Sequence, residues 1–372
     1  MRLVARIIRD VRKRGDAAVR DWSKRFGDAA ATEAFEIPRR EWRAAARSVP
    51  REVRNAIRMA AANVRRVSMR QLPRPFSLEV RRGVRIDQRV QPFERVGCYV
   101  PGGRYPLPSS LLMTVIPALI AGVRDVTVAC PNPTPEVLFA AIEAGATRVL
   151  RIGGAQGIAA LAYGTSTIAR VDKIAGPGNA WVAAAKDLVA VDCAIDMHAG
   201  PSEIVVWAER GNASWIAADL VAQAEHDPAA RAIFVTTSAR LARLVKRELQ
   251  GVGQVVRVRN RQAAIDEIDR IAPEHLVCMS AKDAAAIRNA GTIFVGPWSA
   301  QAGGDYTTGS NHVLPTSGAA RWRGGLSPAD FVRVFTVQTL TRQGLRAIGP
   351  AAAVLADAEG LSRHARSIRI RL

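Results

Sequence analysis

Four of the five histidines in this chain occur in short motifs together with an acidic or amide side chain. The pairs are Gln223 with His226, Glu274 with His275, Asp305 with His312, and Glu359 with His364. Imidazole is the commonest transition-metal ligand and the side chain best suited to moving protons near neutral pH. A chain that uses histidine so rarely, and in this company, is predicted to be a metal-dependent enzyme.

Gln223 and His226 are three residues apart inside a predicted helix. That spacing places both side chains on one helix face, about one turn apart. The amide oxygen and the imidazole nitrogen then suit a single metal ion. A surface or capping pair would have the same spacing, so the motif alone leaves both interpretations open.

Glu274 and His275 fall between a predicted helix and a predicted strand. An acid beside a base at the start of a strand suits a proton acceptor and a residue that activates water. The alternative is an ordinary histidine at the end of a helix, stabilised by the helix dipole.

Asp305 lies in the segment GGDYTTGSNH, whose glycines predict a tight, specifically shaped loop. Functional side chains concentrate on such loops, but Asp305 equally suits a turn former that hydrogen-bonds its own backbone. His312 also suits a satisfied core histidine. Glu359 and His364 fall in the final helical segment and indicate nothing by themselves.

The composition argues against several other classes of protein. The 372 residues contain no apolar run long enough for a membrane span. The N-terminal apolar stretch is too short and too interrupted by arginine for a secretory signal. The four cysteines are widely separated and form no CxxC, which favours buried free thiols in a cytoplasmic protein.

The net charge of +20 invites a nucleic-acid interpretation, which we do not favour. The arginines are scattered over predicted helices, and aromatic residues, which would stack on bases, make up only 5% of the chain. The positive field should instead attract anionic ligands, including the pyrophosphate of a dinucleotide.

Hydrophobic periodicity predicts helices over residues 1–70. From residue 111, short apolar strands alternate with helices, and a second such series begins near 213. This alternation predicts two parallel sheets, each covered by helices on both faces, and the cleft between two such domains commonly holds substrate and cofactor. The tail from 326 is predicted to be mostly helical.

Three glycine-rich turns, VPGGRYP, IGGAQG and AGPGNAW, follow predicted strands. None of them is the G-x-G-x-x-G fingerprint of dinucleotide-binding folds. The segment GPGN before a helix offers backbone amides to an anion, which is only a weak indication of phosphate binding.

Taken together, these motifs resemble those of the histidinol dehydrogenase family, from about residue 5 to the C-terminus. The segments that carry the resemblance are RGDAAV, VGCYVPGGRYPLPSS, IGGAQGIAALAYGT, KIAGPGNAWVAAAK, IDMHAGPSEIVV, DLVAQAEHDP, APEHL, GDYTTGSNHVLPT and EGLSRHA. Their order and spacing make the resemblance specific, whereas each motif alone would be weak.

The resemblance implies an α/β fold with two incomplete Rossmann-like parallel-sheet domains and a helical C-terminal tail domain. The implied segments are 1–98 (the N-terminal helical part of the first α/β domain), 99–208 (the second α/β domain, on the NAD side), 209–325 (the rest of the first, with the metal and catalytic residues) and 326–372 (a helical domain that reaches the partner subunit).

The resemblance also implies an activity, namely NAD-linked oxidation of L-histidinol to L-histidine through the aldehyde, at the end of histidine biosynthesis. It implies one zinc ion per subunit, which orients the substrate. The implied zinc ligands are Gln223, His226, Asp305 and His364. Family members are homodimers, so His364 is expected to complete the metal site of the partner subunit.

The remaining roles are likewise implied by the resemblance. His275 resembles the general base, and Glu274 resembles the residue that activates water on the aldehyde. The implied substrate contacts are Ser202, His312 and Glu359 together with the four metal ligands. The implied NAD contacts are Tyr99, Gln156 and Asn179.

Two features depart from the family pattern. Ala300 and Gln301 stand where Pro-Glu is usual, so a charge is lost beside the metal loop. The segment GRYPLPSS is closer to relatives that oxidise other small alcohols, such as sulfopropanediol dehydrogenases. The second feature leaves such an alcohol as the alternative substrate, although the Glu359 carboxylate favours the ammonium group of histidinol.

Overall fold

The computed structural model describes residues 1–28, 34–102, 106–198, 200–225 and 229–372. In these ranges the four cysteines are buried and free, as predicted. No helix among the described residues combines the length and the apolar character needed to cross a bilayer.

The helices carry the numbers α1 to α15 in chain order. They are α1 (Arg2–Arg14), α2 (Asp16–Phe26), α3 (Arg39–Ser48), α4 (Arg51–Gln71), α5 (Pro108–Ile120), α6 (Pro135–Ala144), α7 (Gly154–Tyr163), α8 (Ala180–Val189), α9 (Ala213–Ala224), α10 (Ala239–Glu248), α11 (Arg261–Ile271), α12 (Ala281–Ala284), α13 (Gln301–Tyr306), α14 (Arg342–Ala358) and α15 (Ser362–Arg369).

The strands carry the numbers β1 to β13 in the same way. They are β1 (Phe76–Arg81), β2 (Val84–Pro92), β3 (Arg95–Tyr99), β4 (Asp125–Ala129), β5 (Arg148–Leu150), β6 (Lys173–Ala175), β7 (Ala194–Ile195), β8 (Glu203–Trp207), β9 (Arg231–Thr236), β10 (Gln254–Arg257), β11 (His275–Cys278), β12 (Thr292–Val295) and β13 (Val332–Leu340).

The chain divides into two units. The larger one contains Met1–Leu72 and Phe93–Phe331, and the smaller one contains Pro73–Pro92 and Val332–Leu372. Both predicted parallel sheets belong to the larger unit. The expected fold class is therefore confirmed for the two α/β sheets.

The first sheet has the strand order β5-β4-β3-β6-β7, and all its pairs are parallel. The chain leaves β3 toward β5 on one side and later returns to β6 on the other, so the direction of winding changes between β3 and β6. Open α/β sheets bind ligands outside the carboxyl ends of the strands at such a point.

The N-terminal helices pack on this first sheet's helices. Helices α1 and α2 contact α7, and α3 and α4 contact α6. The resemblance implies that these helices belong to the other α/β domain, and that division into domains stays a prediction. Amphipathic periodicity identifies the buried face of a helix but not the sheet on which that face packs.

The second sheet has the order β10-β9-β8-β11-β12 and is also parallel. Its central strand β8 buries Ile204 and Val206 in one apolar cluster and Val205 and Trp207 in another. Because neighbouring side chains of a strand point to opposite faces, a strand covered on both sides reads as an uninterrupted apolar run.

The smaller unit contains an antiparallel sheet of order β1-β2-β13. Helices α14 and α15 follow β13 in the chain and pack against each other. Gly83, with a φ of 79°, forms the turn between β1 and β2. The tail was expected to be mostly helical, and this expectation was wrong for Val332–Leu340. These residues are rich in β-branched and aromatic side chains, which favour strands, and they pair with β2 over its full length.

Phe234 of β9 provides a test of the second sheet's packing. It is fully buried in the cluster that joins β8, β9 and α9. We expect Phe234→Ala to lower the free energy of unfolding by about 3–5 kcal/mol, because it removes a packed ring and leaves a cavity.

The urea midpoint, followed by circular dichroism, measures this loss. Phe26→Ala is the control, because Phe26 is half exposed at the end of α2 and should cost much less. Equal midpoints for the two variants would contradict the burial of Phe234 in this cluster.

Candidate active site

The candidate site is a buried cluster of one imidazole and two carboxylates. Glu274 Oε2 lies 3.7 Å from His275 Nδ1, and Asp305 Oδ1 lies 3.5 Å from His275 Nε2. The exposed fractions of these side chains are 7% for Glu274, 5% for His275 and 13% for Asp305. The imidazole therefore lies between two carboxylates with little access to solvent.

A tight turn delivers Glu274 and His275 to this position. Helix α11 ends at Ile271, and Ala272 follows in the left-handed region with a φ of 51°. Pro273 cannot continue the helix, and β11 begins at His275. A positive φ is uncommon for a residue with a side chain, and such strained residues cluster at functional sites.

Glu274 is held by the neighbouring strand. The Ser202 hydroxyl hydrogen-bonds to its carboxyl group, and the Glu203 backbone N–H donates to Oε2 at 3.2 Å. Burial nevertheless dominates and raises the pKa of Glu274 to about 7. A carboxyl group with such a pKa can both take up and release a proton near neutral pH.

His275 has both ring nitrogens buried, and neither makes a hydrogen bond of good geometry within the described residues. Burial by itself would lower the pKa of His275, but the Asp305 and Glu274 carboxylates outweigh it, so the pKa is raised overall. The Phe294 ring stacks beside the imidazole at 6.2 Å between centroids. The imidazole is thus enclosed by the Phe294 ring and the two carboxylates.

Asp305 lies on the short helix α13, and the expectation of a tight loop was wrong for this part of GGDYTTGSNH. Gly304 allows the helix to approach the second sheet, because a Cβ atom there would lie 2.5 Å from the Phe294 ring. Gly304 therefore serves the close approach of a helix to a strand and not a tight loop.

The Asp305 carboxylate is oriented by its own helix. Gln301 Nε2 donates to Asp305 Oδ2 at 2.9 Å, which leaves Oδ1 facing His275. Burial alone would raise the pKa of Asp305, but His275, His312 and Gln301 together lower it. Asp305 is therefore an anionic carboxylate in a nearly dry environment.

His312 contacts the backbone of the same helix. Its Nδ1 donates to the Asp305 carbonyl oxygen at 2.6 Å, since a carbonyl can only accept. Its Nε2 lies 3.4 Å from the Ser110 hydroxyl. His312 is thus part of the same cluster as Asp305.

Gln223 lies in the last turn of α9, and its side chain is buried. Neither atom of its amide group has a hydrogen-bond partner within the described residues. An unsatisfied buried amide is costly, and its oxygen fits a ligand to a bound ion.

Asp219, one turn before Gln223, connects α9 to the cluster. The Gln301 backbone N–H donates to the Asp219 carboxylate, and α13 packs against α9. Burial raises the pKa of Asp219 to about 6. The face of α9 that carries Gln223 is therefore the face that meets the helix of Asp305.

The other two predicted metal ligands are His226 and His364. His226 lies outside the described residues. His364 lies in α15 and Glu359 caps the end of α14, so both belong to the smaller unit, where both are exposed. Within the described ranges, no group of three or more His, Cys, Asp and Glu side chains is arranged to hold a metal ion.

The predicted NAD contacts lie at the carboxyl edge of the first sheet. Tyr99 ends β3, and its hydroxyl accepts from the Gly154 N–H at 3.1 Å. Gln156 is fully buried in the first turn of α7 and donates from Nε2 to Asp28 at 2.7 Å. Asn179 caps α8 by accepting from the N–H groups of the second and third residues after it, both at 3.1 Å.

Sequence reasoning missed Ser110, Asp219 and the side-chain role of Gln301. Asp219 had a usable signal, since it lies four residues before Gln223 on the same helix face. Ser110 had none, because its contact with His312 joins segments about 200 residues apart in the chain.

Comparison with known proteins gives the family. The family model described as "Histidinol dehydrogenase" matches residues 1–372. Histidinol dehydrogenase from Ruegeria pomeroyi is 46% identical over 100% of this chain and 92% of that protein. The enzyme from Methanothermobacter thermautotrophicus is 44% identical over 99% of this chain and 92% of that protein.

A solved structure agrees with these matches. The crystal structure of histidinol dehydrogenase from Elizabethkingia anophelis superposes with a TM-score of 0.95 at 32% identity, covering 100% of this chain and 91% of that one. The chain is therefore a dehydrogenase that belongs to the histidinol dehydrogenase family.

Proposed function

We propose that this protein oxidises L-histidinol to L-histidine through the aldehyde L-histidinal, with NAD as the hydride acceptor and one zinc ion per subunit. This reaction would serve histidine biosynthesis in the cytoplasm. The observation that carries the proposal is the buried cluster of Glu274, His275 and Asp305 in a chain of this family. A sulfopropanediol is not favoured as substrate, because the matched relatives are named histidinol dehydrogenases.

His275 is proposed as the base of both oxidations. It takes the hydroxyl proton while the C–H electron pair leaves as hydride. The raised pKa of His275 suits this role, because the two adjacent carboxylates stabilise the imidazolium that forms. NAD, when bound, supplies the acceptor for the hydride.

Glu274 is proposed to take a proton from the water that adds to the aldehyde. The hydrate anion that results then loses a second hydride from carbon and a proton from its hydroxyl oxygen, which gives the carboxylate. One alcohol, one water and two NAD⁺ thus become one carboxylate, two NADH and three protons. The pKa of Glu274 near 7 lets it release its proton again before the next turnover.

Two side chains of the site support the proposed zinc ion. Gln223 offers a buried amide oxygen without a hydrogen-bond partner, and Asp305 offers an anionic carboxylate. With imidazoles from His226 and His364, the set would be oxygen and nitrogen ligands without thiolate, which suits zinc. A zinc ion bound there would supply a Lewis acid that orients the substrate.

The first sheet supports NAD binding. Tyr99 and Asn179 flank the point between β3 and β6 where the winding direction changes. The N-cap of α7 is Gly153, which has no side chain to cap the helix, so apart from the Gly154 N–H, which bonds to Tyr99, the backbone N–H groups of its first turn suit an anionic phosphate. The proposed contacts remain Tyr99, Gln156 and Asn179.

The smaller unit supports a homodimer. All of β1 is exposed, and its residues Phe76, Leu78 and Val80 form an apolar stripe on one face of the strand. Exposed apolar patches mark interaction surfaces. We propose that a second copy covers this surface and that the partner's chain supplies His364 and Glu359. Nucleic acid and membranes are not proposed as partners.

Activity with histidinol provides the first test. The purified protein with zinc, L-histidinol and excess NAD⁺ should yield about two NADH per histidinol consumed. We expect His275→Asn to lower kcat by about 10²–10⁴-fold with a much smaller change in the KM for histidinol, because it removes the base but not the binding groups.

His198→Asn is the matched control, since His198 is exposed and is not one of the proposed site residues. It should retain wild-type kcat. Absence of NADH from wild-type protein would refute the substrate, and full activity of His275→Asn would refute the base.

Metal content provides the second test. We expect Gln223→Leu to retain far less than the roughly one zinc per subunit of the wild type after dialysis, measured by plasma mass spectrometry. Zinc should raise the melting temperature of the wild type but not that of the variant. Without metal, the variant should melt at or above the wild type, because a buried unpaired amide has been removed.

Gln262→Leu is the control, since Gln262 is exposed on α11 and bonds only to Asp266 in the residues described. It should keep wild-type zinc content. Wild-type zinc content in Gln223→Leu would rule out the amide as a ligand.

Mixing of two inactive variants tests the shared site. If His364 acts in the partner's site, His275→Asn and His364→Asn subunits should form hybrid dimers with one intact site each. Random exchange would then restore about a quarter of wild-type activity in an equimolar mixture. Unfolding and joint refolding of the two variants allows the exchange. No recovery, with dimers verified by light scattering, would place His364 in its own subunit's site.

A further inference from the structure

A buried ion pair lies beneath the glycine turn at the carboxyl edge of the first sheet. It joins Lys186 of α8 to Asp196, which follows β7, through Nζ and Oδ1. The exposed fractions of the two side chains are 2% and 0%. Removing two charges from water is expensive, and well-packed apolar residues often replace such pairs without loss of stability. The presence of this pair therefore indicates a role besides stability.

The pair holds both polar groups of one backbone residue. Asp196 Oδ2 accepts from the Gly176 N–H at 2.7 Å, and Lys186 Nζ donates to the Gly176 carbonyl oxygen at 3.0 Å. Hydrogen bonds to charged groups are stronger than those between neutral groups. Gly176 is thus fixed from both sides by opposite charges.

Gly176 itself is under tight steric constraint. Its φ is 122°, and a Cβ atom would lie 2.1 Å from the Tyr99 carbonyl oxygen. It begins the turn of residues 176–178 that leads to Asn179, the cap of α8. The position of Gly176 therefore sets how this turn meets the end of β3.

Asp196 is anchored in its turn. Its Oδ1 also accepts from the Met197 N–H at 2.7 Å, and its backbone carbonyl accepts from Arg323. Lys186 is anchored by α8, whose N-terminus carries Asn179. The acid and the base thus belong to two different elements, and both bond to Gly176.

We infer that Lys186 and Asp196 are positioning residues for the dinucleotide, holding the turn from Gly176 to Asn179 in the shape that binds NAD. This inference rests on the proposed NAD-linked function. Both residues are buried, so they act through Gly176 and not by contact with the cofactor. A pair that served stability alone would have no effect on NAD affinity beyond its effect on folding.

The test replaces the pair by a neutral one of similar shape, Lys186→Met with Asp196→Asn, so that no unpaired charge is left buried. The affinity for NAD⁺ alone, measured by titration calorimetry, should fall by about tenfold or more, because Gly176 loses its charged partners. The KM for NAD⁺ should rise similarly, while the KM for histidinol and kcat at saturating NAD⁺ change less than about threefold.

Arg148→Met with Asp125→Asn is the matched control. This pair, at 3.4 Å, joins β4 and β5 of the same sheet at its amino edge and should leave NAD affinity unchanged. If the first double variant does not fold, Asp196→Asn alone keeps an acceptor for the Gly176 N–H. It should weaken NAD⁺ binding by about threefold or more.

The outcomes separate the inference from the function on which it rests. Wild-type affinity for NAD⁺ in a folded variant would overturn the inference, even if its melting temperature fell, since the pair would then serve stability alone. Wild-type protein that binds no NAD⁺ and forms no NADH from histidinol would instead overturn the proposed function, and the positioning role with it.

Discussion

His275 lies between the carboxylates of Glu274 and Asp305 in a region nearly free of solvent, and each of the three groups sets the charge of the others. Burial alone would favour the neutral form of all three. Asp305 nevertheless has a lowered pKa, because His275 and His312 lie beside it. For Glu274 burial dominates, and its pKa rises to about 7. The environment thus gives two carboxylates different roles, one that favours the anionic form and one able to exchange protons.

The two sheets have equivalent strand orders, but their candidate residues lie at opposite ends of the strands. They lie at the carboxyl ends in the first sheet and at the amino end of β11 in the second. In the second sheet, α9 and α11 end beside Gln223 and Glu274, so the negative ends of two helix dipoles lie near the cluster. This polarity favours a cation and the imidazolium of His275. In the first sheet, α7 and α8 begin at the edge that carries Tyr99 and Asn179, and helix N-termini favour anions. The proposed zinc ion and the proposed dinucleotide phosphates each match the polarity of their edge.

Hydrophobic periodicity was sufficient to predict most helices and strands of both α/β sheets, because an apolar run or stripe reports which face is buried. It did not predict β13, whose partner β2 lies near the other end of the chain, nor the sheet on which α1 to α4 pack. The glycines of GGDYTTGSNH predicted a loop where α13 forms a short helix that contains Gly303 and Gly304. Periodicity describes one element at a time, whereas these features depend on which elements meet.

The sequence by itself determined the chemical inventory: the Glu274–His275 pair, the Asp305 segment, Gln223 and the glycine turns, whose order identifies the family. Only the tertiary structure decided that Gln301 aims the carboxylate of Asp305, that Ser202 holds Glu274, and that a lysine and an aspartate hold Gly176 from both sides. The physical reason is the separation along the chain over which each effect acts. Local propensity acts over a few residues of chain, but a hydrogen bond near 3 Å joins whatever residues the packing of distant helices and strands brings together.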